Sequence, residues 1–199
     1  MNVFAQVWVS TPGPNSTSWG SSPSILGALP YLMPQKPKPT FLNPITFMFS
    51  SSSGMILNSD VTGPQSQRHF SIMTDSTKGG FSIIQNFGGE SIAVIEWRKH
   101  PVVEIISTVS MRTSAEWLRL SHSKEYRLMA SQGRYYRWTP HDRHFRLHNE
   151  SQSNPQLFRR ILQTQEGTAI ELAIEALQLG LLKVLVVATL LLLCGRNID

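Results

Sequence analysis

The feature that most restricts how this chain can fold is an apolar run near its C-terminus, LGLLKVLVVATLLLLCG, Leu179–Gly195. From Ile170 onward the sequence is helical by composition, with no proline and one internal glycine, Gly180. Beyond Lys183 such a helix is apolar on every side except at Thr189. A helix of this kind is enclosed either by protein or by lipid, so the choice between the two decides the architecture.

The length of the run favours enclosure by protein. Leu179–Cys194 would measure ~24 Å as a helix, whereas the hydrocarbon core of a bilayer is ~30 Å thick. A full span would place Lys183 near mid-depth at a cost of ~2.5–3.5 kcal/mol, while the leucines and valines return ~3–6 kcal/mol. Because this balance is weak, we predict a buried core helix over about 174–194, with a tail anchor as the alternative.

The first 43 residues differ in composition from the rest of the chain. They hold seven of the twelve prolines, many serines and no acidic residue. A segment of this composition cannot bury a core, so residues 1–43 are predicted to be a disordered Pro/Ser-rich tail. The folded domain is expected over residues 44–196.

After Pro44 the sequence consists of short runs rich in β-branched and aromatic residues. The alternation of apolar and polar side chains in HFSIM and RHFRLH is typical of strands with one buried face. SIAVI is apolar on both faces, which indicates a central strand or one between two layers. The regular spacing of the runs indicates an antiparallel meander. The runs are 45–50, 55–61, 69–75, 81–87, 91–99, 102–107, 125–130, 134–138, 144–148 and 157–163.

One segment between the strands, TSAEWLRL at Thr113–Leu120, has the pattern of a short helix, with Thr113 or Ser114 as its candidate N-cap. The strands need their apolar faces covered, and the C-terminal run supplies the long apolar helix for this purpose. We therefore predict a mainly β (α+β) fold, with about twelve antiparallel strands closed into a barrel around the C-terminal helix.

The positive charge of the chain is concentrated in Met111–Arg160, which contains ten Lys or Arg residues, four acids and four histidines. Such a tract suits an anionic partner, although a solvated strand face with excess arginine is the simpler interpretation. Arg134 and Arg137 fall on opposite faces of one strand, so at most one of them joins a patch with Arg127 and Arg146. The candidate residues for binding lipid headgroups or other anions are Arg127, Arg134, Arg137, Arg143 and Arg146.

Patterns that indicate catalysis or metal binding are weak in this sequence. Phosphate-loop, dinucleotide-binding, nucleophile-elbow and zinc-protease motifs do not occur in it. His144 and His148 would lie on one face of a strand but ~13 Å apart, which is too far for a shared metal ion. Glu96 and Glu104 are acids inside apolar strands, and ion pairs with residues such as Arg98 explain them better than catalysis. We predict no catalytic residue, no metal site and no cofactor.

Four motifs carry a resemblance to known proteins: SIAVIEW at Ser91–Trp97, EWLRL at Glu116–Leu120, GRYYRW at Gly133–Trp138 and VLVVATLLLL at Val184–Leu193. In their order and spacing, residues 44–196 resemble an uncharacterised family of basidiomycete fungal proteins, classed as a domain of unknown function. The meander followed by an apolar helix also resembles the tubby C-terminal-like architecture shared by LURP-one-related proteins and phospholipid scramblases. Within that architecture tubby proteins bind phosphoinositides and scramblases act on membranes, but a shared fold does not determine function.

These observations predict a non-enzymatic binding or scaffolding module, with anionic membrane lipid or another protein as its partner. Nucleic acid is not expected, because the aromatic residues of the strands occur without an RNA-binding motif. The single cysteine, Cys194, and a start without a basic n-region favour a cytoplasmic location with peripheral membrane association. The alternative is a tail-anchored membrane protein whose β domain faces the cytosol, and an unrecognised hydrolase is a third hypothesis. The sequence leaves the oligomeric state open.

Overall fold

A computed structural model describes residues 43–51, 55–75, 80–142, 144–150, 157–164 and 167–199, which belong to a unit spanning Pro39–Asp199. Residues 1–42 of the predicted disordered tail lie outside this part of the chain. The described residues form thirteen strands in one antiparallel sheet, which confirms the predicted mainly β fold. The strands are β1 (Ile45–Ser50), β2 (Ser59–Thr62), β3 (Arg68–Asp75), β4 (Phe81–Asn86), β5 (Ser91–Glu96), β6 (Val102–Ile105), β7 (Val109–Thr113), β8 (Leu118–Leu120), β9 (Arg127–Ser131), β10 (Arg134–His141), β11 (His144–Asn149), β12 (Leu157–Thr164) and β13 (Gly167–Leu172). The helices are α1 (Ser114–Trp117), α2 (Ile174–Gln178) and α3 (Leu182–Leu193), with a 3-10 turn over Pro64–Ser66.

Alternation along the strands separates an inner face from an outer face. In β5, Ala93 and Ile95 are fully buried on the inner face, whereas Ile92 and Val94 are half-buried on the outer face. The strand lies between β4 and β6. SIAVI is therefore a central strand, as its apolar composition predicts.

The order of strands in the sheet follows the chain in two meanders. The sequence of neighbours is β7-β6-β5-β4-β3-β2-β1-β13-β12-β11-β10-β9-β8, so β1 and β13 join the two meanders at the middle of the sheet. The edge strands are β7 and β8, and the single turn of α1 connects them.

The predicted closure into a barrel is not confirmed, because no ladder joins β7 to β8 in the described sheet. A turn of helix stands between these strands, and its residue Trp117 is buried. The side chain of Thr113 accepts a hydrogen bond from the backbone N–H of Glu116, and the two residues form a capping box. This confirms Thr113 as the N-cap and corrects the extent of the predicted helix, since Leu118–Leu120 is strand β8.

The inner face of the sheet encloses α3. The eight consecutive residues Val184–Leu191 are at most 2% exposed. Eight residues make more than two helical turns, so every side of the helix is covered by protein. Burial of each leucine or valine stabilises the fold by ~1.5–3 kcal/mol. The predicted core helix is therefore present.

Lys183 interrupts the apolar run at the second residue of α3, in the first turn of the helix. Its Nζ donates a hydrogen bond to the carbonyl oxygen of Ile106 at 2.9 Å. Among the described residues, no helix combines the length and the apolarity needed to cross a bilayer. The tail-anchored alternative is therefore not supported.

The predicted helix over 174–194 is two helices. Gly180 adopts a positive φ of 65° between α2 and α3, a conformation that favours glycine. Upstream, Ile170 belongs to β13 and not to the helix, because it lies opposite Phe47 and Ile161 in neighbouring strands. The strands β7, β8 and β13 are those that the sequence patterns did not identify.

Candidate anion-binding site

The five arginines predicted to bind anions do not share one surface. Arg137 and Arg146 point outward from β10 and β11. Arg127 lies on β9 opposite an inward-facing residue of β10. Arg134 is exposed at the first position of β10, beside the turn from β9. Arg143 lies outside the described residues.

The outward side chains of three neighbouring strands, β10, β11 and β12, form a cluster of basic groups that we call the outer basic face. Arg146 lies directly opposite Arg160 of β12, and Arg137 lies directly opposite His148. Adjacent strands lie ~4.8 Å apart, so these side chains are close neighbours. The outer basic face consists of Arg137, His144, Arg146, His148 and Arg160.

The facing arginines Arg146 and Arg160 have different partners. The Nε of Arg160 lies 4.0 Å from the Oε2 of Glu171 on β13, in a pair whose side chains are partly exposed. The Nε of Arg146 donates to the Nε2 of His144 at 3.1 Å. Within the described residues Arg146 forms no ion pair with a carboxylate.

Arg137, in contrast, is paired with an acid. Its Nε donates to the Oε2 of Glu150 at 2.7 Å, and its Nη2 donates to Oε1 of the same carboxylate. The guanidinium carbon also lies 4.6 Å from the centroid of the Tyr126 ring. The hydrogen bonds with Glu150 raise the pKa of Arg137. Arg137 therefore contributes less net positive charge to the outer basic face than Arg146.

Burial and the neighbouring arginines lower the pKa values of the two histidines of the outer basic face. Burial lowers the pKa of His144, and the charges of His141 and Arg146 lower it further. Burial also lowers the pKa of His148, and Arg146 and Arg137 add to this effect. Both imidazoles are therefore neutral at pH 7 and gain charge as the pH falls.

His144 and His148 share the outer face of β11, as the alternation predicts. The ring of His144 also lies 4.7 Å from that of His141 on β10, a cross-strand neighbour that the pattern of one strand does not reveal. In the part of the chain that the structure describes, no three His, Cys, Asp or Glu residues are grouped so that they could hold a metal ion.

The two acids considered for catalysis lie on the outer side of β5 and β6. The Oε2 of Glu96 lies 2.5 Å from the Nη2 of Arg98, which confirms the ion pair predicted for it. Glu104 is half-buried opposite Val94. Their arrangement is that of surface residues on a sheet.

Arg159 is a basic residue whose position the sequence patterns did not reveal. It is fully buried on the inner face of β12. Leu147 pairs with Arg159 and His148 pairs with Leu157, so Phe158 is the extra residue of a β-bulge. The bulge turns both Phe158 and Arg159 inward. The adjacent arginines at 159 and 160 carry a signal, since side chains alternate and one of two adjacent arginines faces inward.

The guanidinium of Arg159 binds helix α3. Its Nη1 donates to the carbonyl oxygen of Leu185 at 2.7 Å, and its Nη2 donates to the Oγ1 of Thr189. It also lies 4.9 Å from the centroid of the Trp138 ring. Burial lowers the pKa of Arg159 well below its ordinary value, and no carboxylate of the described residues compensates this effect.

Residues 195–199 cross the end of the sheet at which α3 terminates. Ile198 is buried, and its carbonyl oxygen accepts a hydrogen bond from the Oγ of Ser114 at 2.6 Å. The carboxylate of Asp199 accepts hydrogen bonds from the Nη1 and Nη2 of Arg127 at 2.8 and 2.7 Å. Because 72 residues separate the partners, sequence patterns do not predict this pair.

A cavity of about 140 Å³ lies beside the pair of Arg127 and Asp199. Arg127 is part of the lining of this cavity and also binds the Asp199 carboxylate. Most of the cavity wall is apolar. The apolar part comes from β8, β10 and β11 and from the end of α3. The apolar residues include Leu120, Trp138, Phe145 and Leu192.

Comparison with known proteins assigns the chain to a family. No curated protein matches the sequence. A solved structure of a protein from Arabidopsis thaliana is similar over 73% of this chain and 91% of that chain, with 11% sequence identity and a TM-score of 0.40. The fungal source and the tubby-like architecture stay predictions. The model of a family of unknown function, DUF6593, matches residues 55–196. The chain therefore belongs to the DUF6593 family.

Proposed function

We propose that this protein is a non-enzymatic binding module that holds anionic lipid headgroups on its outer basic face. The observation that carries the proposal is the cross-strand pair of Arg146 and Arg160. These two arginines face each other directly, and the half-buried His144 and His148 flank them on the same strand face.

Like charges placed directly opposite each other destabilise a sheet. An anion that bridges the two guanidinium groups lowers the repulsion between them. A guanidinium presents paired N–H donors that match the oxygens of a phosphate group. The facing arginines therefore suit a phosphate better than a diffuse negative surface.

A lipid surface suits the geometry of this face. The arginines project from a continuous stretch of β-sheet, so several headgroups can contact them together. Each basic residue close to an anionic leaflet contributes about 1 kcal/mol of binding free energy. Arg137 adds to this field when its guanidinium exchanges the hydrogen bonds to Glu150 for hydrogen bonds to a headgroup phosphate.

The test is flotation of the full chain with phosphatidylcholine vesicles that contain or lack a phosphoinositide. We expect recovery with the anionic vesicles and loss of recovery with the neutral ones. Arg146→Glu is expected to reduce the affinity by at least about fivefold, because it removes one cation and adds one anion. Arg160→Glu is expected to act in the same way.

A matched control is Arg112→Glu, which makes the same charge change on β7. Arg112 is exposed and donates hydrogen bonds to Ser110 of its own strand. The control is expected to retain most of the binding. Equal recovery from neutral and anionic vesicles would overturn the proposal, as would equal losses from Arg146→Glu and Arg112→Glu.

A further inference from the structure

The cavity beside Arg127 has the size of a small apolar group. Its volume is about 140 Å³. Engineered protein cavities of ~150 Å³ with apolar walls hold a benzene molecule. The side chains of Leu120, Phe145 and Leu192 give this cavity a similar apolar wall. A six-membered ring or a short branched chain therefore fits the space.

The lining of this cavity includes Arg127 and Trp138 on the inner face of the sheet, and Lys124, Glu125 and Tyr126 from the segment before β9. Arg127 and Trp138 lie directly opposite each other on β9 and β10, so their side chains leave the sheet on the same face. Trp138 is 1% exposed, and its indole Nε1 is buried with no hydrogen-bond partner among the described residues. Because this Nε1 atom is inaccessible from the cavity, Trp138 contributes its ring to the wall and not its N–H group.

Asp199 shows which chemical group Arg127 binds. Its carboxylate binds the guanidinium of Arg127 through two parallel hydrogen bonds. The side chain of Asp199 is 44% exposed, whereas that of Arg127 is 16% exposed. The aspartate therefore approaches the arginine from the solvent side and can leave it without displacing a core residue.

We propose that this cavity is a binding site for a small carboxylate with a compact apolar body, and that Asp199 occupies its anion position in the free protein. The apolar body fills the space between Phe145 and Leu192. The carboxylate replaces that of Asp199 on Arg127. This site is separate from the outer basic face, because Arg127 and Trp138 belong to the inner side of the sheet.

Benzoate is the probe for this site, and the indole ¹⁵N–¹H signals of the full chain report its binding. We expect benzoate to shift the signal of Trp138, identified by its loss in Trp138→Phe. The signals of Trp97 and Trp117 are expected to stay in place, since their Nε1 atoms donate to Ser82 and Ala130. Benzyl alcohol has the same ring without the carboxylate and is expected to bind at least about tenfold more weakly.

Asp199→Asn tests the role of the aspartate. An attached competitor acts at a millimolar effective concentration, so its removal is expected to strengthen benzoate binding about tenfold. Glu150→Gln is the matched control, because Glu150 forms the same type of bidentate pair with Arg137 on the outer face. This control is expected to leave the affinity for benzoate unchanged.

Arg127→Gln is expected to abolish the benzoate-induced shift. Arg127→Lys keeps the charge but loses the paired donors, so we expect weak residual binding. Circular dichroism of each variant establishes that it is folded. The proposal is overturned if millimolar benzoate leaves the Trp138 signal of the folded Asp199→Asn variant in place. It is also overturned if Asp199→Asn and Glu150→Gln have the same affinity for benzoate.

Discussion

Arg159 places a guanidinium group in the core of a protein that otherwise uses leucine and valine there. Its hydrogen bonds to Leu185 and Thr189 join β12 to α3 at a defined position along the helix. Burial of a charge without an opposite charge costs several kcal/mol even after relaxation. The polar contact therefore contributes less to stability than to the choice of one helix register, because a helix surrounded by apolar side chains can slide or rotate.

Arg159→Met tests this view at the level of one residue. Methionine fills a similar volume without a charge, so we expect the free energy of unfolding to stay unchanged or to rise by ~1–2 kcal/mol. The hydroxyl of Thr189 keeps its hydrogen bond to the carbonyl of Leu185. Urea denaturation followed by circular dichroism measures the difference, with Arg160→Met on the outer face as the control. A decrease of ~3 kcal/mol would mean that the buried arginine is a net stabiliser.

Asp199 makes stability depend on pH in the acid range. Its hydrogen bonds with Arg127 lower its pKa below the ordinary value of 3.8. A carboxyl group with a lowered folded-state pKa stabilises the fold above its unfolded pKa, and this contribution disappears as the pH falls through the folded pKa. The neighbouring titratable groups are Arg127 and His100, whose Nδ1 lies 3.1 Å from the backbone oxygen of Asp199.

We therefore expect Asp199→Asn to unfold at a lower urea concentration than the unmodified chain at pH 7. The difference between the two proteins should shrink once the pH falls below 3.8 and vanish below the folded pKa of Asp199. Denaturation curves across the acid range measure it. A difference that stays constant with pH would mean that Asp199 contributes through packing and not through its charge.

His144 and His148 make binding to anionic vesicles depend on pH. Their pKa values lie below the ordinary value of 6.5, because of burial and the nearby Arg146. Protonation as the pH falls through these values adds positive charge to the outer basic face. We expect flotation with anionic vesicles to increase below pH 6.5 and the double variant His144→Gln, His148→Gln to lose this increase. A double variant that keeps the full increase would place the responsible groups elsewhere.

At the scale of elements, the break between α2 and α3 decides where the buried helix begins. Leu181 follows the break and is fully buried, and Lys183 in the first turn of α3 reaches Ile106 at the end of the sheet. A continuous helix through Gly180 would rotate α2 and α3 relative to each other. The positive φ of Gly180 is therefore part of how α3 enters the sheet.

Gly180→Ala is expected to lower the free energy of unfolding by ~1–2 kcal/mol, because an alanine at positive φ is strained. Clash is not the cause, since a Cβ at this position meets its nearest atom, the Nε2 of Gln132, at 3.7 Å. Thermal denaturation measures the effect. Gly133→Ala, at a positive φ in the turn between β9 and β10, has the same backbone strain and open surroundings, so a similar decrease there would support strain as the cause. An unchanged melting temperature would mean that α2 and α3 can join without strain.

At the scale of the whole molecule, the sheet and α3 depend on each other. The buried side chains of both meanders, from Phe47 to Leu172, belong to one core together with those of α3. Removal of the helix would expose the inner face of thirteen strands to water. The sheet therefore does not form a stable unit without α3.

Deletion of Leu181–Asp199 is expected to give an aggregated protein, because the truncated chain loses the centre of its core. The full chain should purify without detergent and serve as the control. Size-exclusion chromatography and near-UV circular dichroism distinguish the outcomes. A monomeric truncated chain with a cooperative unfolding transition would contradict the core role of α3 and favour a helix that acts outside the domain.

Much of the architecture is readable from local patterns. Alternation in β3 and β11 identifies strands because a strand with one buried face repeats every two residues. The apolar C-terminal run identifies a buried helix because no exposed helix is apolar on all sides. The sequence patterns did not identify β7, β8 and β13. The edge strands β7 and β8 are short and partly exposed, and β13 is continuous in composition with the next helix. The five proposed arginines were chosen by local charge density. Charge density does not indicate to which face of the sheet each side chain points.

The sequence by itself determined that this protein is a β-meander built with an apolar helix, because these features depend on the spacing of residues a few positions apart. The tertiary structure decided which arginines meet. It placed Arg146 opposite Arg160, turned Arg159 into the core through a bulge, and joined Arg127 to Asp199 across the molecule. These contacts depend on strand register and on chain segments distant in sequence. Local periodicity carries no information about either, so the candidate sites emerge only when the sheet is assembled around its helix.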